Sequence, residues 1–256
     1  MNEQTGAPDA AGATRPLAVV TGASAGIGEA IATRLAGERF RLLLGARREA
    51  RIRELAARLG AEARVLDVAD ESSVAAFCAG LERVEVLVNN AGGARGLDPL
   101  AAARSDQWRW MWEVNVLGLM QMTRALLPAL EASGRGHIVN VSSTAGIEVY
   151  EGGSGYASAK HAVHAISKTL RLELAGRPIR VTEVSPGMVK TDFSLNRFGG
   201  DAGRAAAVYA GVTPLTAADI ADVIAFAVTR PAHVNLDEIV VRPVQQASAY
   251  KVARHE

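Results

Sequence analysis

Short apolar runs alternate with stretches of helical periodicity along most of the chain, and this alternation constrains the fold more than any other feature. The runs are nearly continuous and rich in β-branched residues or leucine. Strands of that kind are buried on both faces, as in a parallel sheet covered by helices. Strands are predicted at residues 17–20, 41–44, 63–66, 84–88, 137–141, 179–184 and 238–241.

Helical patterns separate most of the predicted strands, at about 26–37, 49–59, 71–81, 107–132 and from the region of Tyr156 to about 174. A helix between two parallel strands makes a crossover, and such crossovers are right-handed. The expected fold is therefore α/β, with one doubly wound domain and helices on both faces of the sheet.

No internal repeat or Pro/Gly-rich linker divides the chain, so residues 16–256 are expected to form one catalytic domain. Residues 1–15 lack the apolar run of a signal peptide and are expected to be a flexible leader. The least regular segment, residues 187–213, contains Gly199 and Gly200. This segment is predicted to be a loop with a short helix, which would cover a substrate site as a lid.

Charge and cysteine content exclude several kinds of partner. The net charge is +1, which gives no electrostatic reason to expect nucleic acid or an anionic membrane as a partner. No stretch reaches the apolar length of a membrane span. Cys78 is the single cysteine, so no internal disulfide forms, and a cytoplasmic enzyme is expected. His161 and His164 lie close together but lack further converging ligands, so no metal is predicted.

A cluster of glycines follows the first predicted strand, in Thr21-Gly-Ala-Ser-Ala-Gly-Ile-Gly28. Glycines at a strand-to-helix turn allow backbone N–H groups to approach a pyrophosphate. The spacing differs from the Gly-x-Gly-x-x-Gly fingerprint, and glycine is common in plain turns. The strand–turn–helix context nevertheless favours a nucleotide site, whose predicted residues here are Gly22, Ser24, Ala25, Gly26, Ile27 and Gly28.

The residues at the end of the second predicted strand indicate whether the site suits NAD or NADP. An NAD site has an acidic residue near this point, which binds the ribose hydroxyls. Here Ala46 stands in that place and Arg47 and Arg48 follow it. Guanidinium groups suit a 2′-phosphate, whereas cations at the start of a helix oppose its dipole unless an anion is bound. Arg47 and Arg48 are therefore predicted to select NADP(H).

Tyr156 and Lys160 are four residues apart and share one face of a predicted helix, and Ser143 lies thirteen residues before the tyrosine. An ammonium beside a phenol favours the phenolate, so the tyrosine becomes usable as an acid or base near neutral pH. Lowering its pKa from near 10 to about 7 takes about 4 kcal/mol of differential stabilisation. A surface tyrosine beside a solvated lysine has the same spacing, so the prediction depends on the other motifs.

In their order and spacing, these motifs resemble the short-chain dehydrogenase/reductase family. The resemblance extends from residue 17 to 241 and is carried by the glycine loop, Asp67, Asn89-Asn-Ala-Gly92, Asn115, Ser143, Tyr156, Lys160, Pro186-Gly187 and Thr191. It implies a Rossmann-type fold with a seven-stranded parallel sheet. It also implies hydride transfer between a nicotinamide and a carbonyl or alcohol.

The resemblance further implies a role for each matching residue. Tyr156 is expected to give the proton in reduction, and Ser143 to hydrogen-bond the substrate oxygen. Lys160 is expected to bind the nicotinamide ribose and lower the pKa of Tyr156, and Asn115 to hold a water of the proton relay. The remaining cofactor contacts are expected at Asp67 and Val68, at Asn90, Ala91 and Gly92, and at Pro186, Gly187, Val189 and Thr191.

The C-terminal region narrows the resemblance to the NADP-dependent 3-hydroxy acid dehydrogenases, which include serine and allo-threonine dehydrogenases. The similarity lies in residues 231–243, 245–248 and 196–201. The expected substrate is a small 3-hydroxy acid or its carbonyl form, with Ser143 and Tyr156 at its oxygen. Arg95 and Arg197 are both candidate carboxylate ligands, because both are predicted to lie in loops near the pocket. The segment 186–191 lacks a further glycine found in some members, so the lid entry and the substrate are expected to differ.

Two alternatives remain at the level of sequence. One is a ketone or aldehyde reductase of the same family with broad specificity, and the other is a non-catalytic NADP-binding regulatory protein. The helices that carry Asn115 and Tyr156 commonly form a dimer interface in this family, so a homotetramer or homodimer is expected.

Overall fold

The computed structural model describes residues 15–255, which form one seven-stranded parallel sheet in the order β3–β2–β1–β4–β5–β6–β7. The strands are β1 Leu17–Thr21, β2 Arg41–Ala46, β3 Glu62–Val65, β4 Val86–Asn89, β5 Gly136–Val141, β6 Ile179–Pro186 and β7 Glu238–Val241. The predicted α/β fold is confirmed. The predicted leader, apart from Arg15, lies outside the described residues.

Nine α-helices occur in the described part of the chain: α1 Gly26–Gly37, α2 Glu49–Leu59, α3 Glu71–Cys78, α4 Ser105–Trp112, α5 Gly118–Ala132, α6 Ser154–Glu173, α7 Phe193–Arg197, α8 Ala202–Tyr209 and α9 Ala217–Val228. Helices α1, α2 and α9 cover one face of the sheet through a core that includes Ile31, Leu55 and Ile224. Helices α3, α5 and α6 cover the other face, where Phe77 and Leu126 are fully buried.

Parallel pairing brings the carboxyl ends of all the strands to one edge of the sheet. Strand β1 pairs with β2 on one side and β4 on the other, so the chain changes its winding direction between β1 and β4. Ligands of such sheets bind outside the carboxyl ends, at this change of direction. The glycine loop, Asn90 and Ser143 all follow strands at that edge.

The long helix predicted at 107–132 is interrupted. A π-helical turn at Glu113–Leu117 separates α4 from α5, and Asn115 lies in the middle of this turn. Turns of this kind are rare and occur mostly at functional sites. Hydrophobic periodicity does not reveal the turn, because one extra residue in a helical turn changes the pattern very little.

Two further predictions need correction. Residues 187–213 contain two helices, α7 and α8, rather than one, and they are separated by Gly199 and Gly200, whose φ angles are +62° and +95°. Helix α3 ends at Cys78 rather than near residue 81, and the left-handed Gly80 follows it. The sequence analysis also assigned no helix between β6 and β7, where α9 makes the crossover and begins with a capping box of Thr216 and Asp219.

Candidate active site

A cleft of about 850 Å³ opens at the carboxyl edge of the sheet. It is lined by every residue predicted above to contact cofactor or substrate, and by three of the four predicted catalytic residues. The exception is Asn115, which lies behind the wall of the cleft and is 2% exposed. Predicted residues from seven separate segments of the chain therefore meet in one cavity of a size typical of ligand sites.

The glycine loop can adopt its path only with glycine at two positions. Gly22 has φ +67°, where other residues are strained. A Cβ on Gly28 would lie 2.3 Å from the carbonyl oxygen of Gly22 and 2.5 Å from Nδ2 of Asn90. Helix α1 begins without a side-chain cap. Its first N–H groups are therefore left for water or a ligand, and they lie beside the cleft residues Ala25 to Gly28.

The end of β2 presents a pair of cations to the same cleft. Arg47 and Arg48 are exposed, and Nε of Arg48 donates to Oγ of Ser24 at 3.1 Å. Arg48 is also the N-cap residue of α2 and provides no side-chain cap. A narrow glycine turn, uncapped N–H groups and two exposed guanidinium groups together fit a dinucleotide that carries an additional phosphate.

Asn90 fixes the glycine loop rather than pointing into open space. Its Nδ2 donates to the carbonyl oxygen of Thr21 at 2.9 Å, and its backbone N–H donates to Oγ1 of Thr21 at 3.0 Å. Asp67 lies across the cleft, where its Oδ1 accepts from the backbone of Ala69 at 3.1 Å. The loops after β1, β3 and β4 are thus held in place by local hydrogen bonds.

Tyr156 is buried at the deep end of the cleft and is 8% exposed. Its burial raises its pKa, and the nearby Tyr150 acts in the same direction, while a hydrogen bond with Ser143 and the charge of Arg197 act to lower it. The spacing of Tyr156 and Lys160 predicts a lowered pKa for the tyrosine. In this structure desolvation dominates instead, so Tyr156 is held as a neutral phenol, the form that can donate a proton.

Lys160 lies one helical turn further along α6 and is 6% exposed. Its Nζ donates to the carbonyl oxygen of Val141 at 2.9 Å and lies 5.8 Å from the centre of the Tyr156 ring. Burial lowers the pKa of Lys160 to about 8, and the charge of Glu183 opposes this shift. The ammonium is therefore predominantly charged below pH 8 and loses its proton above that pH.

Ser143 stands at the end of β5, opposite the tyrosine. Its Oγ accepts from the backbone N–H of Ala145 at 3.1 Å and lies 3.5 Å from the carbonyl oxygen of Pro186. Together with the hydrogen bond to Tyr156, these contacts place the serine and tyrosine hydroxyls side by side. Two adjacent hydroxyl donors can bind one substrate oxygen.

The side-chain amide of Asn115 forms hydrogen bonds with backbone groups of the protein. Its Nδ2 donates to the carbonyl oxygens of Met111 and Gly93, and its Oδ1 accepts from the backbone of Gly93 at 3.2 Å. A Cβ on Gly92 would lie 2.5 Å from this Oδ1 and 3.6 Å from Nζ of Lys160. Asn115 therefore supports the loop after β4, directly behind Lys160.

The outer end of the cleft carries Arg197 from α7. Its Nε donates to the carbonyl oxygen of Gly96 at 2.8 Å and its Nη1 to the hydroxyl of Tyr150 at 2.9 Å. Its guanidinium carbon lies 5.9 Å from the centre of the Tyr156 ring. A fixed cation thus lies close to the predicted proton donor, at a place where a small acid can reach both.

Several cleft residues were missed by the sequence analysis, chiefly Tyr150, Gln246 and Arg254. Gln246 is 8% exposed, and its Oε1 accepts from the backbone of Met188 at 2.8 Å. The C-terminal segment therefore folds back over the segment after β6. Its composition had only suggested a subgroup resemblance, and no local pattern predicts a contact between residues so distant in sequence.

One group of side chains resembles a metal site. Ligand atoms of His164, Glu183 and Glu238 lie within 4.8 Å of one another. Glu238, however, already contacts Lys168 at 3.6 Å and Arg171 at 3.1 Å. These cations neutralise the carboxylate that a metal ion would need.

Across the described residues, no helix is both long and apolar enough to cross a membrane.

The family model of the short chain dehydrogenases matches residues 16–200. The chain belongs to the short chain dehydrogenase family. This agrees with the resemblance seen in the sequence.

Individual relatives match over almost the full length of both chains. An uncharacterized oxidoreductase of Mycobacterium tuberculosis is 58% identical over 95% of this chain and 97% of its own. Sulfoacetaldehyde reductase 2 of Chromohalobacter salexigens is 41% identical over 93% and 98%. An NADP-dependent 3-hydroxy acid dehydrogenase of Salmonella typhi is 40% identical over 91% and 97%.

Among solved structures, the closed form of a serine dehydrogenase complexed with NADP+ is similar to this chain. It is 37% identical, with a TM-score of 0.89, and the match covers 94% of this chain and 100% of the other.

Proposed function

We propose that this protein is an NADP(H)-dependent oxidoreductase that transfers hydride between the nicotinamide and a small 3-hydroxy acid or its carbonyl form. The observation that carries this proposal is the position of Arg197, a fixed cation beside the buried hydroxyls of Tyr156 and Ser143. A small substrate that bears an acid group and a carbonyl two or three bonds apart matches that arrangement.

The cofactor is held by residues that fit it chemically. The loop from Gly22 to Gly28 would take the pyrophosphate, and Arg47 with Arg48 the 2′-phosphate. Asp67 and Val68 would contact the adenine, and the segments 90–92 and 186–191 the ribose and the nicotinamide amide. The bound nicotinamide supplies or accepts the hydride. The 3-hydroxy acid dehydrogenase and serine dehydrogenase relatives use or bind NADP as well.

Residues of this chain donate and accept the proton at the substrate oxygen. Tyr156 is buried as a phenol and donates its hydroxyl proton to the substrate oxygen in reduction, and it takes this proton back in oxidation. Ser143 donates a hydrogen bond to the same oxygen and stabilises the charge that develops there. The Lys160 ammonium stabilises the phenolate that remains, and Asn115 keeps the loop behind Lys160 in position.

The substrate's acid group is proposed to lie against Arg197 and Gln246. A carboxylate and a sulfonate are both small oxyanions that accept hydrogen bonds from a guanidinium and an amide. This chemistry agrees with the relatives, because one is a 3-hydroxy acid dehydrogenase and another a sulfoacetaldehyde reductase. Residues 187–213, with α7 and α8, would act as the lid that brings Arg197 to the substrate.

We also propose that the protein is cytoplasmic and assembles as a homotetramer or homodimer. Large apolar side chains are exposed at Trp112 and Leu117 near the start of α5, at Phe226 on α9 and at Val240 on β7. Apolar side chains grouped on a surface favour association between copies of a chain.

Tyr156→Phe removes the proton donor and leaves the ring in place. Turnover with NADPH and a panel of small semialdehydes and keto acids should fall by about 10²–10⁴-fold, while NADPH binding stays within about threefold. Absorbance of NADPH at 340 nm measures the rate. Tyr250→Phe changes an exposed tyrosine in the same way and should have no effect. Unchanged turnover in Tyr156→Phe would remove the catalytic assignment.

Arg47→Ala removes one partner of the proposed 2′-phosphate. The Kd for NADPH should rise by at least about tenfold, because a charge-assisted hydrogen bond is lost, whereas the Kd for NADH should hardly change. Nucleotide fluorescence titration measures both constants. Arg51→Ala, which changes an exposed arginine of the adjoining helix α2, is the matched control. Equal weakening of both nucleotides contradicts the phosphate assignment.

Arg197→Ala tests the substrate class. The KM for acidic carbonyl substrates should rise by at least about tenfold, while uncharged aldehydes of similar size should be affected far less. Arg204→Ala, on the exposed surface of α8, serves as the control. Equal losses for acidic and uncharged substrates would favour a reductase of broad specificity without recognition of an acid group.

Sedimentation velocity tests the assembly. The expected mass is two or four times the 26.8 kDa of one chain. Phe226→Asp places a charge on one apolar surface, so it should lower the mass or weaken association without changing the circular dichroism spectrum. A mass of one chain at micromolar concentration contradicts the proposed assembly.

A further inference from the structure

A row of polar side chains crosses the sheet beneath α5 and α6, in a layer that is otherwise apolar. Asn89, Asn140, Glu183 and Glu238 are register partners on β4, β5, β6 and β7. Asn89 donates to Thr123 of α5, and Asn140 donates to Ser167 of α6, each at about 3 Å. The whole row therefore faces these two helices.

Two members of the row are carboxylates, and of these the Glu183 side chain is completely buried. Its Oε2 lies 3.0 Å from Nδ1 of His164, and its Oε1 accepts from Oγ of Ser185 at 3.1 Å. A carboxylate without access to water is strongly destabilising unless donors and opposite charges compensate it. The proton transfer proposed above makes no direct use of this group.

Helix α6 brings the catalytic residues to the same place. Tyr156, Lys160, His164 and Lys168 follow one another at intervals of four residues and share one face of α6. Nζ of Lys160 is fixed on the carbonyl oxygen of Val141, whose register partner is Val184, the neighbour of Glu183. His164, which touches Glu183, is one turn beyond Lys160.

We propose that Glu183 is a positioning residue for the proton-transfer pair: its buried carboxylate, fixed by His164 and Ser185, keeps the Lys160 ammonium charged beside Tyr156. The proposal rests on the proposed function, in which Lys160 needs its charge to stabilise the phenolate. Glu183 touches neither cofactor nor substrate, since it is absent from the residues that line the cleft.

The distribution of charge around Glu183 supports this role. The charged or titratable groups that face it are Lys160, His164 and Lys168 of α6, and Glu238 of β7. Lys168, with Arg171, pairs with Glu238, whereas His164 contacts Glu183 directly and Lys160 lies one turn of α6 before His164. Its charge opposes the desolvation that lowers the pKa of Lys160 to about 8. Without it, Lys160 would lose its proton at a lower pH.

The test is a direct titration of Lys160 in the free, full-length protein. The chain has four lysines, Lys160, Lys168, Lys190 and Lys251, so [ε-¹³C]lysine labelling gives few signals, and Lys160→Arg identifies the relevant one. In Glu183→Gln, which keeps the shape of the side chain and removes its charge, the midpoint of the Lys160 titration should fall by about one pH unit or more. Glu238→Gln removes the neighbouring carboxylate of the row and should shift the midpoint far less.

An unchanged Lys160 midpoint in a folded Glu183→Gln protein overturns the proposal, even if turnover falls. A second measurement does not depend on that variant. In the wild-type protein with [δ-¹³C]glutamate, the Glu183 signal, identified by its loss in Glu183→Asp, should shift with the same midpoint as Lys160. Absence of that inflection also overturns the proposal. Both titrations are independent of turnover, whereas the proposed function fails separately if no carbonyl substrate oxidises NADPH.

Discussion

The site depends on one buried ammonium group, that of Lys160. A charge this far from water is stable only where dipoles and opposite charges replace the solvent. The sheet provides the carbonyl oxygen of Val141 at the end of β5, and the interior provides Glu183. The π-helical turn at Glu113–Leu117 places Asn115 behind the same group, where it fixes the loop of Gly92 and Gly93. The geometry around Tyr156 follows from where this lysine can be accommodated.

The structure separates the two ends of the reaction site. The inner end, formed by Ser143, Tyr156 and Lys160, belongs to the rigid edge of the sheet and to α6. The outer end is formed by helix α7 and by the C-terminal segment, whose Gln246 accepts a hydrogen bond from the backbone of Met188. The residues proposed for proton transfer therefore lie on or beside regular elements, whereas those proposed to contact the substrate's acid group lie on a short helix and in the C-terminal segment.

Much of the inner end could be predicted from the sequence, because its signals are local. A strand followed by glycines and a helix is a continuous stretch, and Tyr156 and Lys160 are separated by one helical turn. Helix α9 has a local signal, the capping box of Thr216 and Asp219, which the predictions above did not use. The π-helical turn and the second helix of 187–213 could not be predicted from local signals. Their positions depend on packing between distant segments, and the periodicity of one segment does not show how it packs against another.

The protonation of buried groups is equally hard to predict from the sequence. Lys160 is expected to lower the pKa of Tyr156, whereas the burial of the phenol acts in the opposite direction and raises this pKa. The position of His164 in the sequence predicts no metal and gives no sign of its contact with the buried Glu183, because that contact depends on how α6 packs on β6. Charge effects in an interior depend on distances and solvent access, which spacing along the chain does not give.

The central claim is that one substrate oxygen is shared by Tyr156 and Ser143 while Arg197 holds the acid group. A crystal structure of the protein with NADP+ and a small 3-hydroxy acid measures this directly. The account predicts that the substrate hydroxyl lies within about 3.2 Å of both Tyr156 Oη and Ser143 Oγ, with its acid group on Arg197. A hydroxy acid bound in the cleft with its hydroxyl away from both side chains would contradict the account.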